Sequence, residues 1–340
     1  MSKTALITGV SGQDGAYLSK LLLEKGYRVI GGDRRTASGS LWRLKELGIE
    51  KDVEITDFEL AEFTNIYRVI EKYKPDQVYN LAAQSFVSAS FEMPTMTSDI
   101  TGLGVVRILE AVKQINPDIK FYQASTSEMF GQIVEKKQSE TTPFYPRSPY
   151  GVAKLFAHWM TINYRESYNM FTSSGILFNH ESPLRGEEFV TRKITTGLSK
   201  IKLGQLDYLE LGNIKSKRDW GYAADYVEAM YLMLQHDTPG DFVVATGVNH
   251  SIKDFVNAAC NELNIEIEWV GEGLGEKAIY VSTGKVIIKM NKKYYRPAEV
   301  DVLLGDPSKA KKILNWQPKT SFEELVSIMV RADYNKIKQK

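Results

Sequence analysis

The feature that most limits what this chain can fold into is the join between the apolar run Ala5–Thr8 and the periodic stretch behind it, written Gly9-Val10-Ser11-Gly12-Gln13-Asp14-Gly15. The spacing is GxxGxxG, set between a strand-like run and a helix-like one. Glycines there allow a tight turn and let the main chain approach a pyrophosphate, whose charge rests on the free N–H groups of the helix N-terminus. Gly9, Ser11, Gly12, Gln13, Asp14 and Gly15 are therefore candidate phosphate contacts. A turn in this context commits the chain to open as a βαβ unit of a parallel sheet.

The sequence that follows keeps that rhythm. Short apolar runs alternate with longer periodic stretches: Thr4–Thr8, Gly15–Lys25, Arg28–Gly31, Glu62–Lys72, Gln77–Leu81, Thr101–Gln114 and Phe121–Ser125. Alternating strand and helix implies a parallel sheet covered on both faces. After Leu177 the pattern breaks into turn-rich polar segments containing Pro183, Gly186, Gly204 and Gly212. The helix-like Ala223–Gln235 and strand-like Phe242–Ala245 then read as a return to the main sheet, and Phe322–Ala332 as a final helix. With 340 residues the chain exceeds the ~250–300 that a single core usually serves. The expected fold is α/β: a Rossmann-type doubly wound parallel sheet with a smaller, interleaved C-terminal α/β unit. Residues 1–178 and 221–249 should form the dinucleotide-binding unit, and 179–220 with 250–335 the substrate-binding unit.

Charge narrows the partners. Lys+Arg 43 against Asp+Glu 42 leaves a formal net charge of +1, so no global field favours nucleic acid or an anionic membrane. Any anion must be met locally. No apolar run is long enough to span a bilayer, and Met1-Ser2-Lys3 leads straight into Ala5-Leu6-Ile7 without a signal-peptide core. A cytoplasmic address is expected. The single cysteine, Cys260, reads as a small core residue, and no metal site is expected.

After the second strand comes Gly31-Gly32-Asp33-Arg34-Arg35, where the choice between NAD and NADP is made. An acidic residue here usually binds a free ribose 2′-hydroxyl, whereas guanidinium groups hold a 2′-phosphate. The residues disagree, but two adjacent arginines, Arg34 and Arg35, tip the reading to NADP.

The run Phe121–Ala124 ends in Ser125-Thr126-Ser127-Glu128, and further on Tyr150-Gly151-Val152-Ala153-Lys154 opens a long amphipathic stretch. Tyr and Lys four apart share one helix face. The lysine charge, added to that of an oxidised nicotinamide, should favour the phenolate and lower the tyrosine pKa, so that Tyr150 can take a proton from a substrate hydroxyl as hydride leaves the same carbon. Tyr334 and Lys338 repeat the spacing, but in a lysine-rich tail with no strand-end hydroxyl before it, and read as a solvated helix face. Glu128 narrows the chemistry. Once a hydroxyl has become a ketone the neighbouring C–H is acidified, and a carboxylate at the same strand end could remove that proton and start an elimination.

These residues carry a resemblance. From about Thr4 to Ala332 the chain resembles the GDP-mannose 4,6-dehydratase family of extended short-chain dehydrogenases, through Asn80-Leu81-Ala82-Ala83-Gln84-Ser85, Phe121 to Glu128, Thr142 to Tyr150, Leu177-Phe178-Asn179-His180-Glu181-Ser182-Pro183, Val190 to Ile194, Lys217 to Gly221 and Tyr295 to Asp301. The resemblance implies oxidation of GDP-mannose at C4, loss of water across C5 and C6, and return of hydride to C6. It assigns Thr126 to the C4 oxygen beside Tyr150, and Lys154 to the nicotinamide ribose as well. Glu59, Leu60, Leu81, Ala82, Ala83, Ser85, His180 and Arg185 match cofactor positions. Ser85, Asn179, Lys193, Arg218, Arg296 and Glu299 match contacts to the nucleotide sugar. A homotetramer is also implied, with the loop Arg34 to Ser40 reaching a neighbouring subunit's cofactor and the stretches Thr101–Gln114 and Val152–Tyr164 forming a dimer interface. Three alternatives stay open: a 4,6-dehydratase of another GDP-sugar such as a GDP-heptose, a nucleotide-sugar epimerase, which does not need Glu128, and a catalytically silent NADP-binding regulator on the same fold.

Overall fold

The computed structural model of the protein describes residues 2–35, 41–295 and 302–339. Arg296, Glu299 and positions 36–40 of the arginine loop lie outside the described residues.

Strand β1 (Thr4–Thr8) is buried over Ala5 to Thr8 and lies between β2 (Arg28–Asp33) and β4 (Gln77–Asn80). With β3 (Glu54–Asp57), β5 (Lys120–Thr126), β6 (Thr172–Leu177) and the edge strand Asp241–Val244 it builds a seven-stranded sheet, every pair parallel. Across the sheet the order is Asp241–Val244, β6, β5, β4, β1, β2, β3. The order reverses between β1 and β4, and a crevice opens at that switch point outside the carboxyl ends of the strands.

Both faces are covered, as an all-parallel sheet requires. On one, helix α1 (Gln13–Glu24) sets Ala16, Leu18 and Leu22 against Val227, Met230 and Met233 of the helix Ala223–Gln235. On the other, Ile66, Val69 and Ile70 of Phe63–Tyr73 meet Val105, Ile108 and Leu109 of Gly104–Ile115. Each of the larger side chains among these contributes about 1.5–3 kcal/mol on leaving water.

The second unit centres on a four-stranded sheet ordered Ile267–Val270, Lys277–Tyr280, Lys285–Met290, Leu209–Leu211, covered by the helices Val190–Lys202, Ile252–Glu262 and Phe322–Lys338. Cys260 is buried in its core. Within the 250–335 stretch, Ala310, Leu314 and Trp316 pack into the core of the main sheet instead, and Leu303 packs with Ile176, Phe178 and Val243 at its edge. Among the described residues no helix is long and apolar enough to cross a membrane, and no group of His, Cys, Asp or Glu is arranged to hold a metal ion.

Candidate active site

Strand β5 delivers the reactive side chains. It is buried from Phe121 to Thr126 and ends in a single turn, Ser127–Met129, started by the Thr126 hydroxyl, which accepts from the Glu128 N–H at 3.3 Å. The helix Pro149–Tyr168 begins beside it, with Pro149 in its first turn and the Ser148 hydroxyl accepting from the Gly151 N–H at 3.0 Å, a common N-terminal arrangement. Gly151 must lack a side chain because a Cβ there would lie 2.8 Å from the Glu128 carbonyl oxygen. The helix therefore packs tightly on the turn that carries Glu128. Tyr150 and Lys154 face inward from successive turns, and Lys154 Nζ donates to the Ala124 carbonyl at 2.7 Å.

Burial dominates their electrostatics. It pushes the Tyr150 phenol up to about 12, an effect that a Thr126 hydrogen bond offsets in part and the nearby Glu128 charge adds to. It brings the Lys154 ammonium down to about 8, with the Asp14 carboxylate opposing. Lys154 Nζ stands 5.9 Å from the Tyr150 ring centre.

The glycine-rich turn reaches the same crevice through Asp14, while Gly9, Ser11, Gly12, Gln13 and Gly15 are not among the lining residues. Gly9 has φ +70°, and a Cβ there would come 2.9 Å from the Cα and N of Ala82, so β1 and β4 end in close contact. The Thr8 hydroxyl donates to Asn80 Oδ1 at 2.7 Å and accepts from the Leu81 and Ala82 N–H groups, while Asn80 Nδ2 donates to Gln123 Oε1 at 2.8 Å. Three strand ends are thereby fixed relative to one another. A Cβ on Gly15 would lie 2.4 Å from the Gly9 carbonyl oxygen, so its absence lets α1 come down onto the turn. The N-cap of α1, Gly12, supplies no side-chain cap to the first-turn N–H groups. A closely packed turn with uncapped donors fits a dinucleotide pyrophosphate.

Residues that follow β6 close the crevice, among them Asn179, His180 and Arg185. Asn179–Glu181 pairs in parallel with Trp220–Tyr222. Gln13 Nε2 donates to the His180 carbonyl at 3.1 Å, the Ser182 hydroxyl donates to Gln13 Oε1 at 2.8 Å, and His180 Nε2 lies 2.8 Å from Asp14 Oδ2. Arg185 pairs with Glu181 at 3.2 Å and lies over the Phe189 ring.

Of the residues singled out in the sequence, Asp14, Leu81, Ala83, Ser85, Thr126, Glu128, Tyr150, Lys154, Asn179, His180 and Arg185 line this one crevice. Arg34 and Arg35 follow the end of β2 and are exposed, while Glu59 and Leu60 follow β3, further along the same edge of the sheet. Lys193 and Arg218 belong to the second unit and are not among the lining residues: Lys193 Nζ lies 3.4 Å from the Tyr294 ring centre, and Arg218 is buried in a two-residue strand paired with His250–Ser251. Sequence reasoning missed Arg43, whose guanidinium joins the turn to the segment after Asn179–Glu181 by donating to Ser11 O at 2.9 Å and Leu184 O at 2.6 Å. No motif marks it. It also missed His158, buried behind the crevice with Nδ1 2.9 Å from the Ser125 hydroxyl.

A Rossmann-type sheet carrying a tyrosine–lysine pair at its switch point defines an enzyme of the extended short-chain dehydrogenase class. Solved structures agree on the fold: the dTDP-glucose 4,6-dehydratase of Streptomyces venezuelae aligns with TM-score 0.83 at 18% identity, covering 99% of this chain and 98% of that one. UDP-glucose 4-epimerase of Thermotoga maritima aligns with TM-score 0.82 at 23% identity, covering 99% and 100%. Within that class, the family model for GDP-mannose 4,6 dehydratase matches residues 6–329. The human GDP-mannose 4,6 dehydratase is 52% identical over 338 residues, covering 97% of this chain and 91% of the human one. The Vibrio cholerae serotype O1 enzyme is 48% identical over 348 residues, covering 97% and 93%. The chain belongs to the GDP-mannose 4,6-dehydratase family, whose members are lyases.

Proposed function

We propose that this chain converts GDP-mannose to GDP-4-keto-6-deoxymannose with NADP as a cofactor regenerated in each cycle. The observation that carries the reading is the convergence of Thr126, Glu128, Tyr150 and Lys154 on one crevice with Asp14 of the glycine-rich turn. When bound, NADP would supply the hydride acceptor for C4 of the sugar and, once reduced, the hydride donor for C6. The main-chain N–H groups of the turn Gly9, Ser11, Gly12, Gln13, Asp14 and Gly15 would hold its pyrophosphate, and Arg34 and Arg35 its 2′-phosphate. Glu59 and Leu60 would lie toward the adenosine, with Leu81, Ala82, Ala83, Ser85, Lys154, His180 and Arg185 along the remainder. Related folds are known with NAD and with NADPH, among them a Pseudomonas aeruginosa protein at TM-score 0.77 and 20% identity with NADPH.

Tyr150 takes the C4 hydroxyl proton, helped by the Thr126 hydrogen bond and by the positive charge of Lys154 and of the cofactor ring. The ketone so formed acidifies C5–H. Glu128 removes that proton, and the C6 hydroxyl departs with a proton as water. Reduction at C6 and protonation at C5 complete the cycle with no net redox change. Ser85, Asn179, Lys193 and Arg218, with Arg296 and Glu299, would bind the nucleotide sugar. We further propose a cytoplasmic homotetramer, for which exposed Leu103, Phe156 and Trp159 on the interface helices give support, and a division of roles between 1–178 with 221–249 and 179–220 with 250–335.

Incubating the protein with NADP and GDP-mannose, and weighing the nucleotide sugar by mass spectrometry, tests the reading. Loss of one water is the expected result; an unchanged mass with altered stereochemistry would make the protein an epimerase. GDP-heptoses run in parallel establish the preferred sugar.

A further inference from the structure

A carboxylate in the first turn of a phosphate-binding helix is an electrostatic problem, because the Asp14 side chain stands where a pyrophosphate would bring further negative charge. The structure contains its answer. Asp14 Oδ2 lies 2.8 Å from His180 Nε2, and His180 Nδ1 lies 2.8 Å from the Phe178 carbonyl oxygen. With Asp14 ionised, both partners only accept hydrogen bonds, so both ring nitrogens donate, and an imidazole that donates twice is an imidazolium. The ring also stacks on Tyr226 at 4.6 Å between centres, a face that suits a cation.

The other charges around the pair are accounted for. Arg185, in the same crevice, opposes the His180 proton but is held by Glu181 at 3.2 Å. Glu181 is occupied further by the Thr191 hydroxyl, and Gln13 Nε2 donates to the second Asp14 oxygen at 3.1 Å. Lys154 and Tyr150 face the pair across the crevice. Burial works against both charges, yet their mutual attraction leaves His180 raised and Asp14 lowered from their ordinary values.

We infer that Asp14 and His180 act as a charge-compensating pair, in which the imidazolium cancels the carboxylate at the phosphate turn and makes the turn acceptable to a dinucleotide. The pair also joins two distant segments, the start of α1 and the first strand of the second unit, so cofactor binding and the seating of that unit depend on the same two side chains. His180 is thus a positioning residue for the cofactor through Asp14, beyond any direct contact it makes. This inference rests on the cofactor reading above.

Two single variants and their combination separate compensation from simple contact, with binding of NADP to the apoprotein read by calorimetry. His180→Gln leaves the carboxylate uncompensated and is expected to weaken NADP at least about tenfold. Asp14→Asn keeps the cation and should lose less NADP affinity than His180→Gln. The double variant, with neither charge, should bind NADP clearly more tightly than His180→Gln, as removing both partners of a buried pair costs less than removing one. Thermal unfolding of all four proteins checks that each is folded, and nitrogen-15 shifts of His180 at neutral pH should show both ring nitrogens protonated. A double variant as weak as His180→Gln, or a neutral ring, would overturn the inference while leaving the cofactor reading intact. Wild-type protein that binds neither NADP nor NAD would overturn both.

Discussion

Lys154 reaches from its helix to the main-chain oxygen of Ala124, 2.7 Å away, and so ties the tyrosine-bearing helix to the strand that ends in Thr126 and Glu128. The contact holds a buried charge, whose folded-state pKa of about 8 lies below the ordinary 10.5. The unfolded chain therefore binds more protons than the folded one between those two values, and stability rises with pH across that window. Below it the full cost of burying the ammonium is present. Lys154→Met removes this dependence, so its stability advantage over wild type, read by urea unfolding, should narrow from pH 8 to pH 10.5. A difference that stays flat over that interval would show that the amine is not buried as a cation.

Glu128 sits on the turn packed against Gly151 and adds its charge to the surroundings of Tyr150. Glu128→Gln keeps the shape and removes the base. Dehydration should fall by roughly 10²- to 10⁴-fold, the usual worth of a positioned base, while NADP binding is retained. Run in heavy water, the wild-type enzyme should place solvent deuterium at C5 of the product. Deuterium appearing at C5 at the wild-type rate in the variant would take Glu128 out of the proton transfer.

The parts legible in the sequence are those whose signal is local. The strand Thr4–Thr8 and the helix after it were readable because apolar runs and glycines lie side by side. The edge strand Glu54–Asp57 was not, since Glu-Ile-Thr-Asp has one apolar residue and no buried face to impose a period. The parallel pairing of Leu209–Leu211 with Lys285–Met290 leaves no local trace either. In the site, Tyr150 and Lys154 share a motif, but Asp14 and His180 meet across 166 positions. The rise of the Tyr150 pKa was hidden for a related reason: burial is a property of the assembled crevice.

Arg34 and Arg35 are exposed past the end of β2, where Asp33 accepts from the Arg34 N–H at 3.0 Å. If the guanidinium groups hold a 2′-phosphate, they favour NADP while contributing little to NAD. Replacing both by alanine should weaken NADP roughly ten- to hundredfold, the worth of one or two charge-assisted hydrogen bonds, with NAD affinity nearly unchanged. Parallel titrations with the two dinucleotides give the answer. Equal losses for both would assign the arginines to something other than the 2′-phosphate.

Arg43 holds two main-chain oxygens that belong to different parts of the site, Ser11 O in the glycine-rich turn and Leu184 O next to Arg185. From the other side Arg192 donates to the carbonyl oxygens of Pro183 and Arg185 while paired with the buried Asp333 at 2.8 Å. The segment bearing Arg185 is thus gripped by one arginine from each unit. Arg43→Met leaves both of its acceptors unpaired and should cost about 1–3 kcal/mol of stability. Because one acceptor lies at the cofactor turn, the same change should weaken NADP binding and raise the KM for GDP-mannose together. Arg43→Lys can reach one carbonyl but lacks the planar fork needed for both, so it should fall between the variant and wild type in all three measurements. Should Arg43→Met lower the unfolding midpoint yet leave both binding constants where they were, the clamp would serve the fold alone, and the alignment of the two units would have to be held by Gln13 with Ser182 and by Asp14 with His180.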